Sequence, residues 1–320
     1  MRASYRPYNS LDEMEAPNIV AFANDGQHII CGGFHTDRTL HIFDTAIPGR
    51  DSTVLRLGKT RRSSDGQKGL ISSICFGGGS SLSSSIFAVG TYSPGSIYLY
   101  DLRTPHQPTG TILNGHCMVG HGKGHARKKR RIVNISKGET DDLGTDEADE
   151  NDENWFTAAK GKWFQSKTQS GVTQLQFAPN DEYILYSTSR RSNVIIAWDT
   201  RMLSGQSEYQ SNPIRGLSSF ATVNDTNQRL EFDIDPTGLT MFVGGQDKCV
   251  RIYDIKSGKC KDRITDLDDV VNGVSSSNTN DRSLLAIATG SRRFASLDDD
   301  GIEISADPPG YLRLYDYGCN

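Results

Sequence analysis

"VTQLQFAPNDEYILYSTSRRSNVIIAWDT", Val172 to Thr200, contains three short apolar runs separated by two turn signals. The first run stops at Pro179-Asn180-Asp181, where proline fixes φ and the Asn and Asp side chains bond to nearby backbone. The second stops at Arg190-Arg191-Ser192-Asn193, and the third closes on Trp198-Asp199. Runs of this length, rich in Val, Ile, Tyr and Phe, are strand signals, and none carries apolar residues at the 3.6-residue spacing of a helix. The segment therefore predicts three antiparallel strands. One Trp-Asp dipeptide occurs by chance in many proteins, so the fold is decided by recurrence.

The phrase recurs. "NIVAFANDGQHIICGG" leads to "LHIFD" at Asp44, and "ISSICF" and "IFAVGTY" lead to "IYLYD" at Asp101. After Asp199 come "LEFDIDPTGLTMFVGGQ" with "VRIYD" at Asp254, then "VNGVSSS" and "LLAIATG" with "YLRLYD" at Asp316. The closing aspartates repeat at roughly 55 to 62 residues, apart from the step from Asp101 to Asp199, which shortens to similar size once residues 117–168 are set aside. Four-strand units at this period, each ending in aromatic-Asp and one carrying "LNGH" at Leu113–His116, predict an all-β, WD-type β-propeller with five recognisable blades. Residues 1–320 read as a single propeller domain, with 117–168 a disordered charged insertion within it.

Composition agrees. Hydrophobic residues make up 35% and charged residues 23% of the 320 positions, enough apolar surface for a sizeable core. No apolar run approaches the ~20 residues of a membrane helix, and the start shows no signal-peptide core. No membrane is expected as a partner. The six cysteines form no CxxC pair, which suits a reducing compartment. A formal net charge of -4 excludes coating of nucleic acid by bulk charge, so an RNA contact has to come from a local patch.

Four segments carry a resemblance: "YRPYNSLDEM" (Tyr5–Met14), "TAIPGRD" (Thr45–Asp51), "SGVTQLQFAPN" (Ser170–Asn180) and "TNQRLEFDIDPTG" (Thr226–Gly238). On these the chain resembles the telomerase Cajal body protein family of WD-repeat proteins, the last segment being the most specific. The resemblance implies a seven-bladed propeller that holds small Cajal body RNAs, telomerase RNA among them, through a short box in an RNA loop and directs them within the nucleus. Met1 falls where that pattern would be finishing an earlier blade. Either about two blades precede it or five blades close the ring; "YRPYNSLDEM", read as an outer strand without partner strands, favours the first reading. The insertions 117–168 and 294–310 have no recognised counterpart in the family.

Strand order turns these residues into geography. If strands A to D run from axis to rim, the B–C and D–A connections open on one face and the A–B and C–D connections on the other. Arg61 and Arg62, with Lys59, fall in a D–A connection. Arg190, Arg191, Arg292, Arg293, Lys248 and Arg38 fall in B–C connections. The insertion is another D–A excursion, so the arginine doublets and the basic run share a face. An RNA-binding surface is expected there, because guanidinium groups fork onto phosphates and stack on unpaired bases; solvated loops are the plain alternative. Arg50, in a C–D connection, marks the opposite face.

Inside the insertion, Arg127, Lys128, Lys129, Arg130 and Arg131 read as a nuclear-import signal, with accessory RNA contact as the alternative. The acidic stretch Glu139–Glu153 is a candidate mask for that run. No catalytic set, metal site or cofactor is expected. His116, Cys117, His121 and His125 lack paired zinc-ligand spacing. "FGGGSSLSSS" after Phe76 lacks the lysine and helix of a phosphate loop, and Asp233 and Asp235 read as caps of a turn. The expected function is a non-enzymatic, nuclear RNA-binding factor for a small nuclear or Cajal body RNA or its ribonucleoprotein. The expected partners also include other nuclear proteins, with no small-molecule substrate. The alternative function is a protein-interaction scaffold in nuclear ribonucleoprotein assembly or pre-mRNA splicing.

Overall fold

The structure is a computed structural model that describes residues 3–9, 11–23, 26–35, 39–57, 69–77, 86–92, 95–103, 110–112, 171–202, 216–279, 282–291, 296–297, 303–304 and 310–317. Five antiparallel sheets follow one another along the chain, as the repeats predict. The first is β1 (Ile19–Phe22), β2 (His28–Gly32), β3 (Thr39–Asp44) and β4 (Thr53–Arg56); the second is β5 (Ile71–Phe76), β6 (Ile86–Thr91), β7 (Ile97–Asp101) and β8 (Gly110–Ile112). The third is β9 (Val172–Ala178), β10 (Asp181–Ser189), β11 (Val194–Asp199) and β12 (Gly216–Ala221), with a short 3-10 turn at Thr200–Met202. The fourth is β13 (Phe232–Ile234), β14 (Thr240–Gly244), β15 (Val250–Asp254) and β16 (Cys260–Ile264). The fifth pairs β17 (Val271–Thr279), β18 (Arg282–Thr289) and β21 (Tyr311–Asp316), while β19 (Ser296–Leu297) and β20 (Glu303–Ile304) form a separate two-stranded ladder between β18 and β21. The described residues contain no α-helix.

Strand order within each of the first four sheets is sequential, and the innermost strands β1, β5, β9, β13 and β17 bring consecutive sheets together. This is the blade arrangement of a WD-type propeller. Among the described residues the five blades do not close a ring: β1 meets β5 but makes no comparable contact with β17. The five-bladed closure weighed from the sequence is therefore not what these residues show.

Side-chain alternation builds the seams. A central strand of a blade is covered on both faces, which is why "IYLYD" and "VIIAWD" read as continuous apolar runs. On β7, Tyr98 and Tyr100 join Ile30, Leu40, Ile74 and Phe87 between blades one and two. The alternate residues Ile97 and Leu99 join Val172, Leu175, Leu185 and Trp198 between blades two and three. Tyr186, Ile195, Phe220, Phe232, Met241 and Tyr253 fill the next seam, and Phe242, Val250, Val271, Leu285 and Ile287 the last. The end blades show the converse: Val20, Phe22 and Val54 on blade one, and Leu312 and Leu314 on blade five, are each more than half exposed.

Polar side chains on the inner strands lace blade to blade. Asn18 donates to the Ile71 carbonyl at 2.9 Å, and Ser72 donates to the Val172 carbonyl at 2.6 Å. The Gln174 amide both donates to the Phe232 carbonyl at 2.7 Å and accepts from the Phe232 N–H at 2.9 Å. Asp233 accepts from Gln176 in blade three at 3.0 Å and from the Ser276 N–H in blade five at 2.6 Å. Asp235 caps its turn as expected, accepting from the N–H groups of Leu239 and Thr240 at 3.0 and 2.9 Å.

The closing aspartates clasp the turns that follow them. Asp199 accepts from the Arg201 N–H and guanidinium at 2.6 to 3.0 Å, and this pairing holds its carboxyl below the ordinary value. Asp254 accepts from Lys261 at 2.8 Å and the Ser257 N–H at 2.7 Å, which lower it to about 2.

The segment "YRPYNSLDEM" departs from expectation, for it is not an outer strand. Asn9 accepts from the N–H groups of Leu11 and Glu13 at 2.9 and 3.0 Å and bends the chain back. Only isolated bridges form, Tyr5 to Gly49 and Tyr8 to Met14. Tyr5 Oη donates to the Thr45 carbonyl at 2.7 Å, Arg50 pairs with Asp12, and the Arg50 guanidinium lies 4.7 Å from the Tyr8 ring centre. Tyr5, Tyr8 and Asp12 thus pack on Thr45 and Arg50, as Gln174 and Gln176 pack on Phe232 and Asp233.

Candidate nucleic-acid interface

The B–C and D–A connections of the described blades share one face, and three of the residues expected on it can be located. Arg190 and Arg191 follow β10, and Lys248 lies between β14 and β15. Arg61, Arg62, Arg292 and Arg293 lie outside the described residues, as do Lys59, Arg38, Arg127, Lys128, Lys129, Arg130, Arg131 and the whole of 117–168. The same holds for His116, Cys117, His121, His125 and the bulk of "GGGSSLSSS".

Arg191 and Lys248 are exposed turn residues in the left-handed region, with φ of 52° and 59°. That conformation is unusual for a side-chain-bearing residue. It occurs in the B–C connections of two successive blades, and both residues are exposed there. Arg190 differs from expectation. It is half-buried rather than a solvated loop cation, its guanidinium lying 4.5 Å from the Tyr92 ring centre and donating to Tyr92 Oη at 2.8 Å. Its Nε–H is buried without an acceptor among the described residues.

Tyr92 is held where β6 ends. Its N–H donates to the Leu70 carbonyl at 2.9 Å, and the Arg190 N–H donates to the Gly171 carbonyl at 3.0 Å. Gly171 carries no side chain for a steric reason: a Cβ there would lie 2.6 Å from the Tyr92 carbonyl oxygen and 2.9 Å from the ring. Bare backbone in blade three thus lets the tyrosine of blade two settle against it.

A further cation emerges from the connection between β12 and β13. Arg229 donates to the Ser72 carbonyl at 2.5 Å, reaching from the fourth blade to the second. Its connection is laced down: the Asn224 N–H donates to Asn193 Oδ1 at 2.9 Å, and the Gln246 N–H to the Val223 carbonyl at 2.9 Å. Arg190 and Arg229 therefore dock on neighbouring parts of blade two, since Tyr92 bonds Leu70 and Arg229 bonds Ser72. Charge reading overlooks both Arg229 and Tyr92. The available signal for Arg229 was its place in the most specific of the four resemblance segments.

Acidic groups share the face. Asp247 pairs with Arg251 at 2.5 Å, and Asp268 pairs with Arg313. Asp225, Asp266 and Asp269 occupy the connections after β12 and β16. Arg190, Arg191, Arg229 and Lys248 take no part in these pairs and sit at blades two to four. Among the described residues no group of three or more His, Cys, Asp or Glu gathers as a metal site. No described helix is long and apolar enough to cross a membrane.

No family model matches the chain. Telomerase Cajal body protein 1 of Mesocricetus auratus is 29% identical over 322 residues, covering 98% of this chain and 45% of that protein. That of Homo sapiens is 29% identical over 310 residues, covering 95% and 42%. The Telomerase Cajal body protein 1 homolog of Drosophila melanogaster is 24% identical over 260 residues, covering 80% and 33%. The chain spans less than half the length of these curated relatives. Among solved structures, a chain of "Crystal Structure of Mitotic Checkpoint Complex" is 17% identical with a TM-score of 0.49, covering 86% of this chain and 59% of that one. Over nearly its whole length the chain is thus similar to proteins named Telomerase Cajal body protein 1, and the resemblance to the telomerase Cajal body protein family read from its four segments stands.

Proposed function

We propose that the chain is a non-enzymatic propeller that holds a small nuclear RNA, of the Cajal body or telomerase kind, on its B–C and D–A face and directs the ribonucleoprotein within the nucleus. The observation that carries the reading is the gathering of Arg190, Arg191 and Arg229 at blades two to four. The names of its relatives support telomerase and the Cajal body as the setting. Guanidinium groups fork onto phosphates, and unpaired RNA loops present the bases and phosphates such groups take. Arg61, Arg62, Arg292, Arg293 and Lys248 are proposed members of the same surface. Filter binding of a small RNA carrying a short loop box tests the proposal. The box RNA should outcompete the same RNA with its loop scrambled, and equal competition would contradict recognition of the loop.

The second reading is a protein-interaction scaffold in nuclear ribonucleoprotein assembly or pre-mRNA splicing. It is favoured by Asp266, Asp268 and Asp269, which place negative charge on the same face and repel phosphate. Retention of partner proteins after nuclease treatment, with no RNA bound at low salt, would select it.

Arg127 to Arg131 are proposed as the nuclear-import signal. β8 ends at Ile112 and β9 begins at Val172, so the ends of the insertion belong to adjacent blades. Lengthening or shortening a loop changes its closure entropy only logarithmically. Deletion of residues 120–160 should leave the fold intact and lower nuclear accumulation, and unchanged accumulation would remove the import role.

A further inference from the structure

We infer that Tyr92 and Arg190 form a stacking platform for one unpaired base of a bound RNA, with Arg191 contacting the adjoining phosphate. The inference rests on the RNA reading above and specifies what one seam of the face recognises.

Three observations carry it. First, the pair joins two flat groups and is held in advance. The guanidinium lies 4.5 Å from the Tyr92 ring centre and is tied to its hydroxyl at 2.8 Å. Gly171 makes room for the ring, and the Leu70 carbonyl fixes the Tyr92 backbone. A pre-set plane loses little conformational entropy when a base settles on it, whereas a free arginine loses much more.

Second, the pair is only half-buried, and the next residue, Arg191, is an exposed cation in a turn of positive φ. A nucleotide presents the same two features side by side, a flat base and an anionic phosphate. Third, the Arg190 Nε–H is satisfied by nothing among the described residues. A buried donor left unpaired is costly, and a phosphate oxygen reaching the edge of the guanidinium offers the missing bond. A seam clamp alone would need the Tyr92 hydroxyl bond but neither the open donor nor the neighbouring left-handed arginine.

The platform predicts stacking without sequence preference at this position, because every base has a π-face. The test uses the full chain and two probes of equal length: a single-stranded RNA of about twelve nucleotides, and a strand in which abasic spacers replace the bases. Wild type should prefer the RNA. Tyr92→Ala and Arg190→Lys should each weaken RNA binding by about 5- to 150-fold, the range for loss of one stacked base, with the abasic strand within about two-fold. Tyr92→Phe, which keeps the ring, should lose less than Tyr92→Ala.

Arg190→Lys retains charge, so its salt dependence should stay that of wild type while Arg191→Ala flattens it. If Tyr92→Ala does not fold, Arg190→Lys against the two probes still decides the matter. Variants that bind RNA like wild type, or that lose RNA and abasic strand equally, overturn the platform and leave the RNA reading standing. A wild-type chain that binds neither probe overturns the RNA reading and the platform with it.

Discussion

Asp254 shows how a repeat's closing residue works at the scale of one side chain. Lys261 and the Ser257 N–H hold its carboxyl near 2, well below a free aspartate. A group depressed on folding contributes stability that is complete above its unfolded value, near 4, and lost as the pH falls through its folded value. The melting-temperature gap between wild type and Asp254→Asn should therefore be full from neutral pH down to about 4 and close as the pH approaches about 2. A gap that stays constant across that range in thermal denaturation would mean the clasp is not electrostatic. Asp199, clasped by Arg201, should behave in the same direction. These aspartates were legible in the sequence as punctuation, because aromatic-Asp recurs at every blade. Tyr92 was not, since its partner lies 98 residues away and one tyrosine at a strand end carries no local mark. Arg191 and Lys248 were legible because strand order alone assigns their connections to a face.

At the scale of the element, apolar alternation specifies the strands and polar side chains specify how blades meet. β7 and β11 were readable because both faces of a central strand are covered, giving unbroken apolar runs before the closing aspartate. "YRPYNSLDEM" was misread because its residues have strand propensity, yet Asn9 supplies a side-chain acceptor that turns the chain back before a ladder can form. Blade contacts were not readable, since a glutamine in a strand looks solvent-facing until its neighbour is known. Gln174 is the case in point: it holds both the N–H and the carbonyl of Phe232 in the next blade. Gln174→Ala removes both bonds and leaves two backbone groups without that partner, which should destabilise the chain by about 2 kcal/mol or more. Urea denaturation checks this. A midpoint unchanged from wild type would mean that apolar packing alone sets the seam between blades three and four.

At the scale of the whole molecule, a formal charge of -4 coexists with a face that carries Arg190, Arg191 and Arg229 at blades two to four. Bulk charge cannot attract RNA to this chain, so the proposed affinity would have to come from placement, and placement predicts which cations matter. Arg191 and Lys248 stand on the B–C connections, while Arg50 lies on the opposite face, bound to Asp12 and Tyr8. The most direct test is the salt dependence of RNA binding measured for wild type, for Arg191→Ala with Lys248→Ala, and for Arg50→Ala. Each phosphate contact contributes about 0.7 to the log–log slope for a single strand, and exposed turn residues away from core and caps change stability by about 0.5 kcal/mol or less. The double variant should flatten the slope by up to about 1.4 with its melting temperature nearly unchanged, and Arg50→Ala should leave the slope as it is. Equal flattening by Arg50→Ala and by the double variant would mean that binding is spread over the surface, and would contradict an RNA-binding face.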